Sequence, residues 1–385
     1  MYLCKIDCMK YGEIVYLVAL NKIFMYEPAV AKQIVERFDS ACHFFELFKN
    51  GCPDSINLKE KYVSLLQSEQ ILIESDREME WADKNSIKVL TIKDCAYPER
   101  LKECEDAPVV IYKKGETDLN HKRIVSIVGT RMPTEYGKHA CEMLIKQFAL
   151  LEEKPLIVSG LAYGIDIKAH ETALKMGLET IGVIATGIDQ IYPAKHSGVA
   201  LQICEQGAII TDFPKGTPPL KPHFLKRNRI IAGLSDAAVL IESKVRGGGM
   251  STARMAASYF RDVFALPGRV GDERSEGCNV LINSNIAAII SEYSSVIKTL
   301  DWGGVSKKRT EIAVEALLQL EFFDENNDVT GMRKEILGYL LQCKESDISD
   351  ISFALKRSVS EITLPLLELE MEGVIRQECG IYVVL

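Results

Sequence analysis

Between Asp212 and Asp236 the chain carries five cations and no carboxylate: Lys215, Lys221, Lys226, Arg227 and Arg229, with His223 and Phe224 among them and Asn228 between the two arginines. Cations strung along a chain can track a phosphate backbone while a ring stacks on a base, which suits an unpaired nucleic-acid strand. The same residues would also serve as a solvated basic loop with Phe224 turned into the core. Two further groups could join them. Gly129-Thr130-Arg131 offers bare backbone, a hydroxyl and a guanidinium whose planar fork suits phosphate; Ser159-Gly160 offers a hydroxyl and bare backbone, although Ser159 reads equally well as a helix cap. Acid–base chemistry is conceivable from Asp166 and His170, four apart on one helix face, with Glu242 and Asp189 near strand ends. Each has a plainer reading: Asp166 as a helix-start partner and His170 as a packing residue. No nucleophile elbow, metal cluster or GxxxxGK[ST] loop appears.

These residues need a frame. Ile124–Val128 is an apolar, β-branched run that reads as a strand buried on both faces; it stops at Gly129, and Pro133-Thr134 then open a helix from Glu135 to about Leu151. The rhythm repeats. Strands are predicted at 155–158, 180–185, 208–211, 237–241 and 263–266, and nearly every one ends in glycine. In an open parallel sheet such turns line the carboxyl edge, where backbone N–H groups at helix starts favour anions. Phosphate is the expected guest.

Residues 1 to about 75 show three-and-four spacing of apolar residues in Glu27–Phe38 and Ala41–Phe48, with Asp39-Ser40 to start the second helix. Strand-like pieces at 87–92 and 109–112 lead into the sheet as an extension of it. A linker is placed at Gly303–Lys308. Beyond it, helices at 311–320, 332–343, 347–355 and 361–371 and a hairpin around Gly380 describe a winged helix. From residue 307 onward there are 15 acidic and 9 basic side chains, which favours protein contact over a polyanion.

The 385 residues allow two or three domains; those expected are a helical module over 1–80, a sheet domain over 85–300 and a winged helix over 308–385. A net charge of −8 confines any nucleic-acid site to a local basic patch. Eleven scattered cysteines with no CxxC pair argue against disulfides and zinc, and neither cofactor nor metal is expected. With no long apolar run and Lys5, Asp7, Lys10 and Glu13 near the start, the expectation is a cytoplasmic protein with no membrane insertion.

The order of motifs resembles the DNA-processing protein A (DprA/Smf) family over roughly residues 85 to 295. It runs Gly129-Thr130-Arg131; Ser159-Gly160-Leu161-Ala162 with Gly164-Ile165-Asp166 and His170; Gly187 and Tyr192-Pro193; Phe224 with Arg227-Asn228-Arg229; Glu242; Thr252-Ala253; Pro267-Gly268; and Gly277, Asn279 and Leu281-Ile282. The resemblance implies an α/β fold, an extended Rossmann-like parallel sheet with an N-terminal helical (SAM-like) module and a C-terminal winged-helix module. It implies a homodimer that binds and protects single-stranded DNA without catalysis and helps load the RecA recombinase in natural transformation and homologous recombination. Position by position it implies Arg131 and Lys221 on phosphate, Phe224 on a base, Arg227 and Arg229 shaping or neutralising the pocket beside Asn228, and Gly129, Thr130, Ser159 and Gly160 as donors. The chain departs from the family at Gly247-Gly248-Gly249, where Ser-Gly-Ser is usual, and at Asn285-Ile286, where Gly-Ala is usual; the latter is read as touching a helix start.

Two enzyme classes compete. A nucleotide phosphoribohydrolase-like Rossmann enzyme shares the sheet and a PGGxGTxxE loop, yet three residues beyond Thr252 stands Met255 instead of the catalytic carboxylate. A dinucleotide oxidoreductase would need GxGxxG after Val128, and Gly129-Thr130-Arg131-Met132-Pro133-Thr134 is not that.

Overall fold

A strand buried on both faces must be covered by helices on both faces, and that is how the apolar runs are used. The computed structural model describes residues 11–49, 58–303, 328–343, 345–371, 374–378 and 380–384. The chain divides into two compact units at Gly303. The first unit opens with helices α1 (Glu13–Ile23), α2 (Pro28–Arg37), α3 (Ala41–Lys49), α4 (Glu60–Gln67) and α5 (Glu69–Lys84), then β1 (Lys88–Thr91), α6 (Glu99–Lys102) and β2 (Val110–Gly115). The repeating part follows as β3 (Ile124–Val128), α7 (Glu135–Leu150), β4 (Leu156–Ser159), α8 (Ile165–Lys175), β5 (Thr180–Val183), α9 (Ser197–Gln206), β6 (Ala208–Thr211), α10 (Lys221–Leu234), β7 (Ala237–Leu240), α11 (Gly248–Ser258), β8 (Asp262–Ala265), α12 (Glu276–Asn283), β9 (Ala288–Ile289) and α13 (Ser295–Thr299).

The nine strands form one sheet in the order β1-β2-β6-β5-β4-β3-β7-β8-β9. From β6 to β9 all pairings are parallel, whereas β1 and β2 extend the edge antiparallel. Side chains alternate as a strand requires: Val125 and Ile127 join one core with Phe148 of α7 and Ala169 of α8, while Ile124 and Val128 join the other with Ile230 of α10 and Ala253 of α11. Successive strands run outward from β3 to β6, then the chain crosses back under the sheet in α10 and resumes on the other side of β3 with β7. β3 is therefore the topological switch point. The turns after β3 and β7 depart to opposite faces and open a crevice outside their carboxyl ends.

The N-terminal helices share a core with the sheet: Leu17, Leu20, Phe44 and Phe45 pack in the same cluster as Val110 and Tyr112 of β2. Among them α3 is capped from two sides, with the Ser40 hydroxyl accepting from His43 N at 3.0 Å and the Glu13 carboxylate from Ala41 N at 2.6 Å. They also hold the segment leading into α10. Asn21 Nδ2 donates to the Asp212 carbonyl at 2.8 Å, Glu78 accepts from Lys215 N at 2.8 Å while pairing with Lys22 at 2.7 Å, and the Tyr26 hydroxyl meets His223 Nε2 at 2.9 Å.

The second unit contains α14 (Asp328–Cys343), β10 (Glu345–Asp347), α15 (Ile348–Leu355), α16 (Val359–Met371), β11 (Ile375–Glu378) and β12 (Ile381–Val384), with β12 between β10 and β11 in an antiparallel sheet. Its own core gathers Ile336, Leu340, Ile351, Ile362, Leu366 and Tyr382. The strand Glu345–Asp347 was not anticipated from the sequence; Asp347 ends it and caps α15, its carboxylate accepting from Ser349 N and Asp350 N at 2.8 Å each. The helix expected at 311–320 and most of the expected linker lie outside the described residues. Asn285 corrects a second expectation. It sits with φ 53° just past the end of α12, not at a helix start, with Asn285 N and Ile286 N closing back on the Ile282 and Leu281 carbonyls at 3.0 Å.

Helix α10 holds its place under the sheet through charge. Asp212, 1% exposed, pairs with Lys226 at 3.1 Å and accepts a hydrogen bond from Arg229 Nη2. Burial alone would raise the Asp212 carboxyl, but the Lys226 and Arg229 cations more than offset it, so its pKa is lowered. Asp212→Asn leaves two cations buried without their counter-charge and is expected to cost about 3–5 kcal/mol, read as a lower urea midpoint. In the unsubstituted protein the contribution of this pair is complete above the usual aspartate range and is lost as pH falls through the lowered folded value. A stability–pH profile in Asp212→Asn should be flatter on its acid side.

Candidate nucleic-acid interface

The crevice at the switch point is a cleft of about 620 Å³. One wall is the turn after β3, Gly129, Thr130 and Arg131; the second is the first two turns of α10, with Lys221, Phe224, Arg227 and Asn228; the third is the stretch after β7, with Ser243, Lys244, Arg246 and Gly247–Gly249. Tyr192 and Asp166 close the side nearest β4 and β5. The N-termini of α10 and α11 both open here without a side-chain cap, although in α10 Pro222 has no N–H and His223 N already donates to the Leu220 carbonyl at 2.9 Å.

At its mouth the Arg131 guanidinium lies 5.3 Å from the centroid of the Phe224 ring, and the Tyr192 ring meets Phe224 edge-on at 5.7 Å. Arg131 and Lys221 are exposed, and neither has a carboxylate at ion-pair distance among the described residues. Deeper in, Arg227 is 3% exposed and its Nη1 donates to the Val183 carbonyl at 2.6 Å. Burial lowers its pKa to about 10 despite the neighbouring Asp166 carboxylate, and burial raises Asp166 against the pull of Arg227. Both lie over the bare Cα of Gly160, where an added Cβ would overlap the guanidinium. The turn after β4 also needs Gly164: at φ 85° it brings its Cα against the Thr130 carbonyl, which accepts from Ile165 N at 3.1 Å.

The structure thus brings Gly129, Thr130, Arg131, Lys221, Phe224, Arg227 and Asn228 together around one cleft and leaves three residues of the expected group off its lining. Ser159 is fully buried and its hydroxyl donates to the Ile127 carbonyl at 2.6 Å; Gly160 supports Arg227 from beneath. Arg229 points away, donating to Asp212 and to the Asp106 carbonyl, so it shapes the floor beneath α10 and not the pocket. Asn228 lines the cleft while its Nδ2 reaches the Gly248 carbonyl at 3.4 Å, joining α10 to the start of α11. His170 is fully buried against the Thr180 hydroxyl at 2.7 Å, and burial lowers its pKa to about 3, so it stays neutral and packed. Glu242 accepts from Thr134 N at 2.8 Å and Thr134 Oγ1 at 2.5 Å, capping α7. Helix α11 offers the cleft no carboxylate, which removes the geometric basis for phosphoribohydrolase chemistry.

Sequence reasoning did not place Tyr192 at the site, although Tyr192-Pro193 stands among the ordered motifs, nor Lys244 and Arg246. The exposed tyrosine between an isoleucine and a proline carried no periodic signal that would have found it. At the family's Ser-Gly-Ser position, Gly248 has open space around it, while side chains at 247 and 249 would press on Ser243 and Leu240. Gly160→Ala forces Arg227 and Asp166 to shift and is expected to cost about 1–3 kcal/mol in thermal or urea unfolding, whereas Gly248→Ser should leave stability unchanged.

With this geometry in place, the comparisons with known proteins are specific. The DNA recombination-mediator protein A family matches residues 88–301. Protein Smf of Escherichia coli is 30% identical over 86% of this chain and 87% of its own length. The X-ray structure of DNA processing protein A from Streptococcus pneumoniae is similar with a TM-score of 0.58 at 31% identity, covering 74% of this chain and 97% of that one. That of Helicobacter pylori, described for its single-stranded DNA binding mode, has a TM-score of 0.50 at 33% identity, covering 56% and 95%. Among the described residues no helix is long and apolar enough to cross a membrane. On the match to residues 88–301 and the near full-length relative, the chain belongs to the DNA recombination-mediator protein A (DprA/Smf) family, whose role is DNA processing in recombination and not a known catalytic activity.

Proposed function

We propose that the cleft binds single-stranded DNA and that the protein protects such DNA and helps load RecA onto it. The observation that carries this reading is the exposed Arg131 stacked on the half-buried Phe224 beside Lys221, at the N-termini of α10 and α11. A phosphate takes Arg131 or Lys221, a base takes the Phe224 face, and Arg227 holds the pocket floor positive without leaving its buried seat. Duplex bases are already stacked on each other and present no free face to Phe224, so an unpaired strand is preferred. The Helicobacter pylori relative, described for its single-stranded DNA binding mode, supports this.

The remaining parts of the reading follow the family. The protein acts as a homodimer in the cytoplasm, and the N-terminal helices are a SAM-like module that steadies the approach to α10. The second unit is a winged helix whose excess of carboxylates suits it to a protein partner better than to DNA.

Fluorescence anisotropy with oligo-dT at several salt concentrations tests the cleft. Arg131→Ala and Lys221→Ala should each weaken binding of every sequence alike and each reduce the salt slope by about 0.7, and Phe224→Ala should cost about 1–3 kcal/mol with the slope unchanged. Salt-insensitive binding, or unchanged affinity in the Arg131→Ala, Lys221→Ala double variant, would sink the reading. RecA loading is read separately, as faster displacement of a single-strand-binding protein by RecA when this protein is added; no acceleration with a matched RecA removes that role alone.

A further inference from the structure

Beside the cleft lies a second hollow of about 640 Å³, lined by Thr134, Tyr136, Pro267, Gly268, Arg269, Asp272 and Ser275. Their linings adjoin along the chain. Arg131 faces the first and Thr134, three residues on, faces the second; on the other side Ser243 of the first is bound through its carbonyl to Gly277 N at 2.8 Å, two residues past Ser275 of the second. The hollow repeats the chemistry of the cleft in simpler form. Tyr136 is 49% exposed, with its hydroxyl fixed on the Pro267 carbonyl at 3.0 Å, and Arg269 is exposed with no carboxylate at ion-pair distance among the described residues.

Many cations elsewhere in the first unit, such as Lys22, Lys88, Arg100 and Lys168, are matched to carboxylates, whereas Lys221, Arg131, Arg246 and Arg269 are left uncommitted at the carboxyl ends of the parallel strands. The acids nearby are occupied: Glu242 by Thr134, Glu273 by Lys244, and Asp272 by its own loop, accepting from Arg274 N at 3.0 Å and facing Ser275 Oγ at 3.5 Å. Because Glu242 already sits on the start of α7, the helix dipole contributes little there, and Arg269 is the group that would hold a phosphate.

We propose that a bound single strand continues from the cleft past Arg246 into this second hollow, where Tyr136 stacks on a base and Arg269 takes a phosphate of the same strand. This rests on the reading of the cleft as a single-strand site and extends it to a path along the sheet edge. A strand long enough to fill both hollows then gains contacts that a short one cannot reach.

The test compares oligo-dT of about 5 and about 15 nucleotides, a range that brackets one site and an extended path, with the full-length protein. Arg269→Ala removes an exposed side chain and should leave the short strand's affinity unchanged while weakening the long strand about five- to tenfold and reducing its salt slope by about 0.7. Tyr136→Ala should weaken the long strand selectively with no change in slope. Tyr136→Phe, which keeps the ring, should retain most of the affinity. Equal weakening of both lengths, or none at either, in Arg269→Ala overturns the second hollow while the cleft stands. If the unsubstituted protein binds neither length, the reading of the cleft itself has failed.

Discussion

A cation taken out of water must be met by a counter-charge or by well-placed acceptors, and helix α10 carries three cations into the protein at once. Asp212, just past the end of β6, meets Lys226 and Arg229; the Val183 carbonyl accepts from Arg227, with the Asp166 carboxylate in its neighbourhood. These contacts fix where α10 begins and how it is rotated. Once it is fixed, Lys221 and Phe224 can only face the crevice between the ends of β3 and β7.

The cleft divides its charges into two kinds. Arg227 is rigid, buried and held by the main chain, so it contributes a standing positive field without any cost of ordering when a strand arrives. Arg131 and Lys221 remain in solvent. In the free protein Arg131 rests on Phe224, a contact that keeps the ring from being a bare apolar surface and holds the guanidinium near the place where a phosphate would come. Base and phosphate thus meet groups that are already neighbours.

The departures from the family pattern sit in different surroundings. Gly247 and Gly249 stand where an added side chain would press on Ser243 and Leu240, and Asn285 is among the few residues other than glycine that accept the left-handed conformation found there. Neither alters the sheet or the rotation of α10. The missing carboxylate on α11 matters more, because it separates a binding cleft from a hydrolytic one built on a similar sheet.

The strand-and-turn rhythm from Ile124 to Leu266 was legible in the sequence, because unbroken apolar runs and terminal glycines are local consequences of a doubly covered sheet. The basic segment was legible too, by its lack of carboxylates. What the sequence left undecided was which of those cations faces a ligand. On a helix, Lys221, Phe224 and Asn228 fall along one face and Lys226 and Arg229 along another, but only the position of Asp212 and of the crevice says which face is inside. Ser159 and Arg229 were expected at the site from their motifs and turned out to be bound beneath it. Tyr192, in the stretch after β5, and Tyr136, in the first turn of α7, are far apart in the chain, and it is the parallel sheet, by bringing the carboxyl ends of β3 to β9 to one edge, that sets them beside Phe224 and Arg269.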